Sequence, residues 1–169
     1  MSELDEAWAA ALSEAEHRAR LAGRGEVAEY LSLKNSNDLL RKAGIDWLLT
    51  EFTVLAGDAN RGGASIQIAK QEGHRFPLGN STMVGQLLTL TNGVRTLFVE
   101  AGWPRTPRDG FVRGGGLAAA NIRHLGIKAA NVELLLSKSN TGAPAWKSVE
   151  KNYLLLEADI RRHLAILLK

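Results

Sequence analysis

The apolar positions change period twice along this chain, which divides it into a helical first third, an alternating middle and a helical end. Over residues 3–22, Leu4, Trp8, Ala11, Leu12, Ala15, Ala19 and Ala22 fall on one helical stripe. Ser2 is the expected N-cap, acids sit at the positive end of the dipole, and Gly23 and Gly25 stop the helix. A shorter helix is predicted over residues 26–33. Asn35-Ser36-Asn37-Asp38 then offers a fresh N-cap, after which Leu39, Leu40, Ala43, Trp47, Leu48, Phe52 and Leu55 continue at helical spacing. Gly44 is read as a break in that run, with Asp46 recapping its second half. Residues 52–55 fit a strand as well as a helix.

Beyond Gly63 the period shortens to two. Residues 64–70 alternate, with Ile66 and Ile68 on one face. Residues 71–74 read as a turn into a short strand at Arg75-Phe76, which Pro77 confines to an edge. Residues 86–100 are a hairpin, since Asn92-Gly93 suits the two positive-φ positions of a type I′ turn. That turn places Thr91 opposite Val94, Thr89 opposite Thr96 and Leu87 opposite Phe98. On the other face it places Leu90 opposite Arg95, Leu88 opposite Leu97 and Gln86 opposite Val99. Both faces carry apolar residues, so this hairpin belongs in the middle of a sheet.

A second hairpin is predicted from residues 117–125 and 131–137. Ala118, Ala120 and Ile122 share one face of the first strand, and Val132, Leu134 and Leu136 one face of the second. The alternative for residues 117–120 is helix. A long helix closes the chain over residues 148–168, on the stripe Val149, Tyr153, Leu156, Ile160, Leu164 and Leu167. Its apolar band is wide enough for deep burial or for a homodimer interface. The fold class expected is therefore a single α+β domain over residues 1–169. Its antiparallel meander of about five to six strands packs against N-terminal helices and a long C-terminal helix.

Composition narrows the chemistry. The 169 residues include no cysteine, which removes disulfides, thiolate metal sites and cysteine nucleophiles. No apolar run is long enough to cross a bilayer, so no membrane partner is expected. The acidic N-terminus lacks the basic region of a signal peptide, and a cytoplasmic location is expected. Net charge is +3, but residues 92–128 hold six bases against two acids, so the basic excess lies in the sheet region. Such a field suits an anion, and it equally suits charged strand edges that resist aggregation.

The candidate site is the loop at residues 102–116. Pro104 and Pro107 stiffen its backbone, and its glycines free it again. Arg105, Arg108 and Arg113 could converge on a carboxylate or phosphate, with Trp103 and Phe111 as an apolar wall. His124, in the same basic region, completes the ligand-binding set. The function expected is a non-catalytic binding or regulatory module for a small anionic or amphipathic ligand. The alternatives are a homodimer through the C-terminal helix and an enzyme using His124 with Glu100 and Asp109. Nucleic-acid binding is not expected on so small a net charge, although arginines interleaved with Trp103 and Phe111 meet its requirements loosely. No metal motif joins His17, His74, His124 and His163, and no nucleophile elbow or phosphate loop is present.

Overall fold

The computed structural model of the protein describes residues 3–169. Ser2, the expected N-cap, lies outside them. The chain is α+β. Helices α1 (Glu3–Leu21) and α2 (Gly25–Arg61) precede six strands: β1 (Gln67–Leu78), β2 (Ser81–Asn92), β3 (Arg95–Trp103), β4 (Ala118–His124), β5 (Val132–Lys138) and β6 (Pro144–Ser148). A C-terminal helix, α3 (Glu157–Leu167), follows. The strands form one antiparallel meander in sequence order. Two compact units are distinguishable, one ending at Leu40 and the other spanning Arg41–Lys169. The sheet, α3 and the second half of α2 belong to the latter.

In that unit one face of the sheet packs on the helices. Leu88, Leu90, Leu97, Val99, Leu134 and Leu136 form a continuous core with Leu48 and Phe52 of α2 and Ile160 and Leu164 of α3. Ala118 and Ala120 lie in the same core, where small side chains suit close approach. A smaller cluster of Phe76, Met83 and Ala119 forms on the opposite face, with Val112 and Leu135 against it.

Four local expectations change. Residues 25–61 form a single helix, and Gly44 marks a close approach within it. A Cβ at Gly44 would stand 2.7 Å from the Leu136 methyl groups. The Trp146 indole N–H donates to the Gly44 carbonyl at 2.8 Å. Residues 67–78 are one strand rather than two, because the turn expected at residues 71–74 is a β-bulge at Gly73, with φ +65°.

The turn of the central hairpin lies one residue later than expected, which moves each cross-strand partner by two residues. Asn92 pairs with Arg95, so the two-residue loop is Gly93-Val94. Gly93 has φ +62°, and Val94 is not among the residues with positive φ, as in a type II′ turn. The shift brings Leu90 opposite Leu97 and Leu88 opposite Val99, all four buried. In the type I′ register Leu90 would have faced Arg95. Burial of the matched apolar pairs outweighs the local preference of Asn-Gly.

The C-terminal helix begins only at Glu157. Of the expected helix, Ser148 is the last residue of β6, and a turn follows through Asn152, whose φ is +55°, to Leu154, which bridges back to Lys147. Pairing of β6 with β5 and burial of Trp146 hold the chain in a strand up to the start of the segment whose spacing alone reads as helical.

Candidate functional site

The loop between β3 and β4 is held to the sheet at several points. At its entrance the β2 and β3 backbones run very close at Gly85 and Gly102. A Cβ on Gly102 would lie 2.5 Å from the Val84 carbonyl oxygen. Past Pro104 the chain makes a short 3-10 turn, Pro107–Asp109. The buried Asp109 carboxylate accepts the N–H groups of Arg105 at 3.0 Å and Thr106 at 3.2 Å. It also takes the Arg75 guanidinium of β1 at 3.0 Å. The Arg105 N–H bond is the largest cause holding this carboxyl below its ordinary range; the Thr106 and Arg75 bonds act the same way, and burial opposes them.

Gly110 follows with φ +89°, and a Cβ there would come within 2.5 Å of the Ser81 hydroxyl. That hydroxyl donates to the Phe111 carbonyl at 2.9 Å and accepts the Phe111 N–H at 3.2 Å. The loop is thereby fastened to the β1–β2 hairpin by one carboxylate and one hydroxyl.

Beneath it lies a cavity of about 420 Å³. Trp103, Phe111, Val112 and Leu117 supply apolar walls, and Arg41 and Arg105 supply charge. The Arg105 guanidinium stacks 3.6 Å above the Trp103 ring and donates to the Val84 carbonyl at 3.1 Å. Arg41 of α2 donates through Nε to the Leu117 carbonyl at 2.7 Å, and its guanidinium lies 6.0 Å from the same ring. Both cations are therefore oriented along one indole. Phe111 is 83% exposed and lines the cavity from the solvent-exposed part of the loop.

Of the six residues singled out in the sequence, the structure brings Trp103, Arg105 and Phe111 together here. Arg108 and Arg113 are exposed on the same loop but do not line the cavity. His124 lies on the helix-packed face of the sheet, directly opposite Leu97. There its Nε2 is 2.8 Å from Nδ1 of His163 on α3. Burial pushes both imidazoles down, His163 to about 4. Arg41 was missed in the sequence: it sits on a helix far along the chain, with no local signal pointing to the loop.

Glu100, Asp109 and His124 do not converge. Glu100 is buried and takes His74 Nε2 at 2.8 Å, Asn121 Nδ2 at 3.1 Å and the Arg123 guanidinium at 3.3 Å. His74 is paired with Gly85 of β2, where the β3 backbone lies close against that strand. Asp109 is occupied by the loop and Arg75. Among the described residues no group of three His, Asp or Glu side chains is placed to hold a metal ion. No described helix is long and apolar enough to cross a membrane. No protein-family model, curated protein or solved structure matches the chain.

Proposed function

We propose that this chain is a non-catalytic binding module. It holds a small amphipathic anion under the loop at residues 102–116. The observation that carries the reading is the cavity itself. Its volume of about 420 Å³ lies in the range of small-molecule sites, and it combines mostly apolar walls with a few fixed polar groups. An aromatic or aliphatic body would lie against Trp103, Val112 and Phe111. A carboxylate or phosphate would face Arg105 and Arg41, whose planar forks suit either group. The bonds from Asp109 and Ser81 hold the loop in place before any ligand arrives, which lowers the ordering cost of binding.

The test is a thermal-shift and calorimetric screen of small carboxylates and phosphate esters, with and without apolar groups. A ligand at about 100 times its dissociation constant stabilises the fold by about 2.7 kcal/mol. An Arg105→Ala, Phe111→Ala double variant should lose that shift while keeping the unliganded melting temperature near wild type, since both side chains are exposed. Ligand shifts of equal size in the variant would remove the loop from the site.

A further inference from the structure

The two edges of the sheet are treated differently. The β6 edge is closed by the chain itself. Ser148 N–H donates to the Tyr153 carbonyl and Leu155 N–H to the Trp146 carbonyl, each at 2.9 Å, and Lys147 bridges to Leu154. The β1 edge has no such cover among the described residues. Seven consecutive residues, Gln67–Gly73, are exposed, although all of them but the bulged Gly73 are paired with β2 on the inner side. Such a row of outward N–H and C=O groups is a template for another strand.

We propose that β1 is a self-association edge. A second copy of this chain adds to it antiparallel, about a two-fold axis through Gln71. Two constraints select that register. Residues of one parity direct their backbone groups to the same side of a strand. A strand paired with a rotated copy of itself must therefore match odd positions with odd and even with even, so the axis passes through a residue. Charge then discriminates among the candidate centres. An axis at Lys70 opposes two ammonium groups, and one at Glu72 opposes two carboxylates; like charges directly opposite are destabilising. An axis at Ala69 leaves Lys70 facing Ile68.

An axis at Gln71 sets Lys70 opposite Glu72 of the second copy, twice. Both side chains lie on the same face of β1, opposite Leu88 and Gln86 of β2, as that pairing requires. The bulge at Gly73 and the missing N–H of Pro77 confine the ladder to the stretch around this axis. Lys70 guards the edge against foreign strands, and Glu72 makes one exception, another copy of the same strand.

Sedimentation of the full chain over several decades of concentration tests this. Wild type should show a monomer–dimer equilibrium. Lys70→Glu or Glu72→Lys alone turns two attractive cross-strand pairs into two repulsive ones and should raise the dissociation constant at least about tenfold. Lys70→Gln and Glu72→Gln should give smaller steps in the same direction. The double reversal Lys70→Glu, Glu72→Lys should return the constant to within about threefold of wild type. A strict monomer, or a dimer indifferent to the single reversals, overturns the proposal.

Discussion

The buried histidine pair gives the fold a built-in response to acid. His124 and His163 join β4 to α3 through a 2.8 Å nitrogen–nitrogen contact, with Phe52 of α2 packed 6.4 Å from the His163 ring. A neutral pair satisfies this geometry, one ring donating and the other accepting. A second proton removes the acceptor and leaves a charge in an apolar layer. Burial is the main cause of the low His163 value, followed by the neighbouring His124 and then Arg162. Arg95 borders the same region, while Asp159, one turn before His163, is engaged with Arg162 and the Leu156 N–H. Among the described residues no carboxylate is paired with either imidazole.

The sign follows from linkage. Each folded-state value lies below the unfolded one, so the unfolded chain binds these protons first and acid favours unfolding. The full contribution is present above pH 6.5 and is lost as pH falls from 6.5 toward about 4. For His163 the loss levels off at about 3 kcal/mol, at 1.36 kcal/mol for each pH unit between the two values. His124 adds in the same direction. Asp109 is silent in this window, because its carboxyl is held below 3.8 and gives up its contribution only at lower pH.

The assay is urea unfolding at pH 7.5, 6, 5 and 4, comparing wild type with a His124→Leu, His163→Phe variant. Wild type should lose about 3 kcal/mol more than the variant between the extremes. The m-value should stay constant, so that the change reports stability rather than a looser native state. Parallel loss in the two proteins would refute the reasoning and place the acid response elsewhere.

Two further predictions concern packing and the loop. Gly44→Ala should destabilise by about 1–3 kcal/mol in denaturant titration, because overpacking against Leu136 exceeds the gain in helix propensity; an unchanged or raised midpoint would mean that Leu136 moves aside freely. Asp109→Ala should speed tryptic cleavage after Arg105 and Arg113 while the far-ultraviolet spectrum stays the same, since it frees two backbone N–H groups and Arg75 together; unchanged cleavage would show that the bonds of Ser81 and Arg105 suffice to hold the loop.

Local signals in the sequence carried the elements, and long-range pairing decided their details. The alternation around Asn92-Gly93 shows a hairpin, yet its register depends on Leu90 meeting Leu97, a preference that the turn residues do not encode. Residues 149–156 have helical spacing, but Trp146 and its bond to Gly44 hold the chain just before them in a strand. Trp103, Arg105 and Phe111 could be picked out because they share one loop. Arg41 could not, since only the fold of α2 against the sheet brings it there. In the same way, Glu100 finds His74 across β2, and His124 finds His163 on α3, partners that spacing along the chain does not reveal.

The cavity takes its shape from the sheet. Trp103, its floor, is the last residue of β3 and packs against the main core, whereas Val112 packs against the small cluster on the opposite face. The loop therefore crosses from one face of the sheet to the other around its end. Arg75 and Ser81, which anchor it, belong to β1 and β2, at the end of the strand order opposite β6. Any displacement of the β1–β2 hairpin is thus passed to the loop through Asp109 and Phe111. Pairing of a second copy along β1 would stiffen that hairpin and favour the loop position that keeps the cavity formed. Dimer-disrupting charge reversal at Lys70 would then weaken ligand binding without touching the cavity, the mark of coupling through one shared element.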